Sequence, residues 1–384
     1  MDNSRKQGAK RRRSSPSYHG ASKNGSPSRS FSSSTSFEDT SWTSIKPEHS
    51  DGRSISLNWT KTDFEEDCGI YYDINSSPIY NLFSFPSTMA KKRTIIPKIC
   101  LNDLPEIVKT LVLLTKEKLN FSLNDCDGYT YKSHIERAEA INEAKRACQH
   151  FLSCFNDIEE LISSLPDIDK RCIYQYYNSA LEFLQFSLPM FLSKKYDDVG
   201  KEDFQWLFTK FSEIFLLKPQ PGDLCKRKMK IKREYEIECE ADIRFTCHPS
   251  PVGYSPPTCC VVMVTEIAKE NTGSSRNGEI DIHALSDKVL TQMVADLLFE
   301  SEFSIFYPGV IGMLCIGTKL IFLYCEIPGH KLLAIKKNGK LEETEKANIQ
   351  FTRAFDYLVA DDRNEILDYL FWLGYIQSSG YFNQ

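Results

Sequence analysis

Cys259-Cys260-Val261-Val262-Met263-Val264-Thr265-Glu266-Ile267 is a continuous, β-branched apolar run with one acid near its end. Such a run is expected to be a central strand covered on both faces, because a half-exposed strand would alternate polar with apolar. The stretch before it does alternate. From Met229 the odd positions carry Ile231, Tyr235, Ile237, Cys239, Ala241, Ile243 and Phe245, with Arg233 the exception. The even positions carry Lys230, Lys232, Glu234, Glu236, Glu238, Glu240, Asp242 and Arg244. A period of two is the signature of half-buried β structure. One strand of this length is unusual, so a bend or two strands is expected. Most charges on the even face read as solvated. Asp242 stands apart, because it lies where the strand approaches the next element.

Working outward, Pro249 to Pro257 is a Pro- and Ser-rich loop, and Asn271 to Gly278 is a polar turn. Leu285, Val289, Met293, Leu297 and Leu298 then recur at helical spacing, with Lys288 and Gln292 on the flank. Two apolar strands, 310–316 and 319–327, surround Gly317-Thr318 as a hairpin. Lys336-Lys337-Asn338-Gly339-Lys340 reads as another turn, and 355–375 as a closing helix.

Upstream of Pro219-Gln220-Pro221-Gly222 the periodicity is helical. Asn102-Asp103 is placed to cap a helix through Leu104, Ile107, Val108, Leu111 and Leu114, and Ser133 with Glu136 forms a capping-box pattern. Further helices end at Pro166, are interrupted near Pro189, and close with the aromatic-rich 201–217. Residues 57–99 are mixed and receive no assignment. Residues 1–56 are dominated by Ser with Gly, Pro, Lys and Arg; too little apolar surface is available to offset chain entropy, so disorder is expected. The resulting division is a Ser-rich basic tail (1–56), a poorly defined segment (57–99), a helical region (100–200) and an α/β domain (201–384).

Hydrophobic residues make up 41% and charged residues 26% of 384, which places the chain among ordinary globular proteins rather than disordered or fibrous ones. The 13 cysteines are scattered through apolar runs, as expected of buried free thiols in a reducing compartment. No signal-like stretch opens the chain and no apolar run reaches ~18 residues, so no membrane partner and an intracellular location are expected. Lys10-Arg11-Arg12-Arg13, followed by Ser14-Ser15-Pro16, fits a nuclear-import cluster tuned by phosphorylation, which favours nucleus over cytoplasm; a solvated basic tail is the plainer account.

The order of elements is a helix, a strand with Asp242, a loop, a buried strand ending in Glu266, a helix with Gln292, and a strand pair around Gly317-Thr318-Lys319. Over 201–327 this resembles the PD-(D/E)xK phosphodiesterase superfamily, with its restriction-endonuclease-like mixed sheet flanked by helices. The resemblance implies that Asp242 and Glu266 bind Mg²⁺ or Mn²⁺, that Gln292 helps hold the site, and that nucleic acid is the partner. Hard oxygen ligands suit those ions. A metal ion lowers the pKa of bound water and stabilises phosphoryl charge, and a nearby ammonium adds to this.

The pattern departs from the family at one point. The family places Lys two residues after Glu266, where this chain has Ala268. Lys269 follows, and on a regular strand it faces the other way unless a β-bulge intervenes. Lys288 on the next helix is a second source, since members of this superfamily relocate the Lys in that way. The remaining alternative is a decayed site whose fold serves as a non-catalytic interaction module.

The dense basic run Lys226, Arg227, Lys228, Lys230, Lys232 and Arg233 supports phosphate-backbone contact beside the site, or equally a solvated edge strand protected by Lys. Cys239, Cys247, His248, Cys259 and Cys260 lack the paired spacing of a zinc site. The two function classes carried forward are a metal-dependent nuclease and a non-catalytic binding protein built on the same fold.

Overall fold

The computed structural model describes residues 60–66, 68–92, 101–123, 134–195, 198–221, 227–231, 235–247, 260–269, 280–339 and 346–382. All lie in one compact unit, Gly52–Gln384. The expected disordered tail, Lys10, Arg11, Arg12 and Arg13, the Ser133 cap, and Lys226, Lys232, Arg233, His248 and Cys259 fall outside the described residues.

The chain runs through α1 (Lys61–Glu66), β1 (Ile70–Tyr72) and α2 (Ile79–Lys92), then the helices α3 (Glu106–Lys118), α4 (His134–Ser153), α5 (Phe155–Ser164), α6 (Asp167–Glu182), α7 (Leu188–Ser193) and α8 (Lys201–Glu213). The carboxy-terminal half holds β2 (Pro219–Pro221), β3 (Arg227–Ile231), β4 (Tyr235–Cys239), β5 (Ile243–Cys247), β6 (Cys260–Ala268), α9 (Asp287–Glu300), β7 (Gly309–Ile316), β8 (Lys319–Glu326), α10 (Gly329–Asn338), β9 (Ala347–Phe351), β10 (Phe355–Asp356) and α11 (Ala360–Phe382).

The result is a mixed α/β fold around an eight-stranded sheet in the order β1-β9-β8-β7-β6-β5-β2, with β10 paired to β8. β6 is central, antiparallel to β5 and parallel to β7, which it reaches through the α9 crossover. β7 and β8 are antiparallel around Gly317, whose φ of 66° lies in the region open to glycine. Strand alternation divides the core in two. Met263, Ile267, Ile311, Met313, Cys315, Leu320 and Phe322 pack on one face with residues of α3, α6, α8 and α11. Val264, Ala268, Val310, Leu314, Ile316, Ile321 and Leu323 pack on the other, against α9.

Several expectations need correction. The long alternating stretch folds as three strands, with β3 and β4 forming a separate two-stranded hairpin and β5 joining the main sheet. Within the hairpin odd positions pair with odd ones, Met229 with Ile237 and Arg227 with Cys239, whereas β5 is buried at every position. The closing helix begins at Ala360, because Phe355-Asp356 pairs with Leu320-Lys319 on β8. Lys336, Lys337 and Asn338 are the end of α10, which Gly339 caps at φ 66°, and Lys340 lies outside the described residues. Pro105, not Asn102-Asp103, precedes the first turn of α3. Near Pro189 the helix does not break: Phe183–Ser187 widens into a π turn, so the missing proline N–H is absorbed without a stop. Residues before the helical region also supply part of the sheet, with β1 pairing parallel to β9.

The helical region and the sheet share one hydrophobic core, tied by polar clamps. Arg363, 1% exposed, donates from Nη1 to the Tyr357 carbonyl at 2.9 Å and from Nη2 to the Leu119 and Phe121 carbonyls at 2.9 and 2.6 Å. Its guanidinium also lies 4.1 Å from the Phe121 ring centroid. Burial pulls its pKa down to about 10. Gln377 accepts from the Lys218 N–H at 2.8 Å and donates to the Lys218 and Thr246 carbonyls. Gly374 lets α11 approach this point, since a Cβ there would sit 1.9 Å from the Phe215 carbonyl oxygen.

Arg363→Met removes three carbonyl partners at once and is expected to cost about 3 kcal/mol, seen as a urea midpoint lower by roughly 1 M. Arg363→Lys is expected to recover little, since one ammonium does not span the three acceptors. Full recovery by Lys would refute the clamp.

Candidate functional site

Glu266 shares its strand parity with Val264 and Ala268, so it points to the α9 face of β6 and is 6% exposed. Asp242 sits in the turn one residue before Ile243, which pairs with Thr265 on β6. That register brings Asp242 to Glu266. The Asp242 carboxylate accepts the Ile267 N–H at 2.7 Å through Oδ2, and its main-chain carbonyl accepts Nε2 of Gln205, from α8, at 3.0 Å.

The cation at this pair is Lys201, the first residue of α8. Its Nζ lies 2.7 Å from Asp242 Oδ2 and 3.1 Å from Glu266 Oε1. Lys201 and Gln205 are four residues apart and share one helix face. The helix start is fixed by Asp203, whose Oδ2 accepts the Gly200 N–H at 2.8 Å while Oδ1 pairs with Lys194. Burial works against the Lys201 charge, but the Glu266 and Asp242 carboxylates more than offset it and its pKa is raised.

Sequence reasoning brought Asp242 and Glu266 together but looked for the ammonium elsewhere. Lys269 is exposed at the end of β6 and its Nζ meets the Val199 carbonyl. Lys288 is exposed in the first turn of α9. Gln292 is directed at the approach to Asp242: Nε2 lies 3.4 Å from the Glu240 carbonyl, 3.5 Å from Cys239 Sγ and 3.3 Å from Asp296 Oδ1.

Asp296, which the sequence reading missed, is fully buried on α9, and its Oδ1 accepts the Cys239 thiol at 2.6 Å. The available signal was an acid alone in the otherwise apolar run Met293, Val294, Ala295, Leu297, Leu298 and Phe299. Burial pushes the Asp296 pKa up to about 7, against the pull of Cys239 and Arg244, with Asp242 and Glu300 adding to the rise. Glu266 is raised well above its ordinary value, first by burial and then by Asp242 and Asp296, with Lys201 opposing. Glu266 Oε2 and Asp296 Oδ2 are buried without a hydrogen-bond partner among the described residues.

The basic run is divided in its roles. Arg227 turns inward, 3.5 Å from the buried Glu300 and 3.9 Å from the Phe303 ring centroid, and Glu300 also holds Arg244 at 2.6 Å. Lys228 and Lys230 are exposed, and their positions pair with Glu238 and Glu236 across the hairpin. Cys239 and Cys247 are buried and Cys260 is half-buried. Among the described residues no group of three or more His, Cys, Asp or Glu is arranged to hold a metal ion, and no helix is long and apolar enough to cross a membrane. No family model, curated protein or solved structure matches the chain.

The Asp296 shift fixes the sign of a pH effect. A carboxyl whose pKa rises on folding is stabilising only while protonated, so its contribution is lost as pH climbs from about 4 to about 7. Asp296→Asn keeps the acceptor for Cys239 and cannot ionise. Its stability relative to the parent is expected to grow by roughly 2–3 kcal/mol between pH 5 and pH 8, measured by urea denaturation. A flat difference would mean that the acid is not held neutral in the fold.

Proposed function

We propose that the chain carries a restriction-endonuclease-like domain that hydrolyses nucleic-acid phosphodiester bonds with Mg²⁺ or Mn²⁺, using Asp242, Glu266 and Lys201. The observation that carries this reading is the single ammonium within hydrogen-bond reach of both carboxylates. It supplies, from α8, the Asp-Glu-Lys set for which position 268 has only Ala. The antiparallel β5-β6 pair and the α9 crossover to β7 follow the element order on which the resemblance rests.

The donor set suits a hard cation. Asp242 and Glu266 offer carboxylate oxygens, and Glu266 Oε2 is buried with no hydrogen-bond partner among the described residues. Mg²⁺ commonly takes one or two carboxylates and completes its shell with water and substrate phosphate, so a third protein ligand is not required. When bound, the ion supplies a more acidic water and charge stabilisation at the phosphoryl oxygens. The chain's own residues do the rest. The Ile267 N–H and the Gln205 amide hold Asp242 in orientation. Lys201, 41% exposed along its side chain, is able to reach solvent and to neutralise charge developing on a non-bridging phosphoryl oxygen. Exposed Lys228 and Lys230 add sequence-independent phosphate contact, and Lys10-Arg11-Arg12-Arg13 directs the chain to the nucleus in the same reading.

One observation favours a second reading. Lys201 already neutralises both carboxylates, as a divalent ion would, and no three-ligand cluster occurs among the described residues. On that reading the ammonium has taken the ion's place and the fold is a non-catalytic binding module.

Incubation of the purified protein with a mixed DNA and RNA panel separates the two. The nuclease predicts Mg²⁺- or Mn²⁺-dependent cleavage that falls at least ~100-fold in Asp242→Ala and Lys201→Ala. A folded parent that cleaves nothing, while Lys201→Ala gains affinity for Mn²⁺, would establish the non-catalytic module instead.

A further inference from the structure

Asp242 is not on a strand. It sits in a short link between β4, which belongs to the separate hairpin, and β5, which belongs to the main sheet. Such a link is free to shift unless contacts from elements other than β4 and β5 hold it. From α8, Gln205 holds the Asp242 carbonyl, and from β6 the Ile267 N–H holds its carboxylate. The amino-terminal side of the link is held from α9. Cys239, the last residue of β4, donates its thiol to Asp296 Oδ1 at 2.6 Å, and the Gln292 amide spans Asp296 Oδ1 and the Glu240 carbonyl at 3.3 and 3.4 Å. Asp296 is the shared acceptor of both contacts, and Gln292 and Asp296 stand one helical turn apart on α9.

We infer that Asp296 is a positioning residue for Asp242: through Cys239 and Gln292 it anchors the Cys239–Asp242 link to α9 and so sets where the Asp242 carboxylate meets Lys201 and Glu266. The inference rests on the reading of Asp242 as the functional carboxylate of the site, but the contact chain stands whether or not the site is catalytic. A buried acid in this position is otherwise costly, because burial penalises its charged form and one of its oxygens has no hydrogen-bond partner among the described residues. A leucine at this position would carry no such cost. What the leucine cannot do is accept from a thiol and an amide together.

The Ile267 amide provides a readout independent of catalysis, since its N–H is bonded to the Asp242 carboxylate. Hydrogen exchange is followed at Ile267, with Leu314 in β7 as the reference for global opening. Asp242→Ala sets the exchange rate of an unheld amide. Asp296→Leu is expected to speed Ile267 exchange at least ~10-fold, towards the Asp242→Ala rate, with Leu314 unchanged. Asp296→Asn, which keeps the acceptor, is expected to stay within ~2-fold of the parent. If Asp296→Leu does not fold, Gln292→Ala removes the bridge to the Glu240 carbonyl and is expected to speed Ile267 exchange alone by a smaller factor.

Unchanged Ile267 exchange in Asp296→Leu, or in Gln292→Ala where the leucine variant is lost, overturns the inference. So does an equal rise at Ile267 and Leu314, which would make Asp296 a contributor to global stability only. Neither metal nor nucleic acid enters the measurement, so a failed cleavage assay and a failed positioning test remain distinct results.

Discussion

A carboxylate held in a strand that is covered on both faces must be neutralised, and much of this fold is arranged around that requirement. Glu266 sits near the end of β6, with Val264 and Ala268 packed against α9 on its own face. Its neighbours Asp242 and Asp296 make the charge more costly still, and a single ammonium, Lys201, opposes them. That ammonium comes from the first turn of α8. The helix is seated by Phe204, Leu207, Phe208 and Phe211, all buried in the core shared by the helical region and the sheet. The electrostatics of the sheet therefore depend on helices that precede it in the chain.

The other buried polar groups join elements in the same way. Arg363 fastens the start of α11 to the turn after α3, and Gln377 fastens its far end to the chain around Lys218 and Thr246. Glu300 gathers Arg244 from β5 and Arg227 from the β3-β4 hairpin onto the end of α9. Buried ionic contacts add little net stability over apolar packing, but each is strongly unfavourable when one partner is missing. Their effect here is to favour one arrangement of hairpin, sheet and helices over others that would bury similar apolar area.

Glu266 was legible on the regular strand β6, whereas Asp242, expected on a strand, stands in the link just before β5. Alternation and the apolar run located Asp242 and Glu266, and the antiparallel register of β5 on β6 brings them together. The ammonium was not readable from local spacing. Position 268 has Ala, which turned attention to Lys269 and Lys288, whereas Lys201 lies 65 residues from Glu266 along the chain. Its only local trace was its spacing from Gln205. The basic run was legible as a charge cluster, but not the inward turn of Arg227 onto Glu300 or the pairing of the Lys228 and Lys230 positions with those of two glutamates.

Element type, strand parity and the two-faced burial of β6 follow from residue order alone, because side-chain periodicity is a local property of the backbone. So does the hairpin at Gly317, which needs only short-range turn chemistry. The boundaries that were misplaced at Phe355 and Asn338 are those where pairing with a distant strand or capping by a single glycine overrode propensity. The same holds for the cation at Glu266 and the acid at Asp296. Which lysine reaches a buried carboxylate, and which buried acid has its pKa raised, depend on distances between elements far apart in the chain, and those are set by how the helices pack on the sheet.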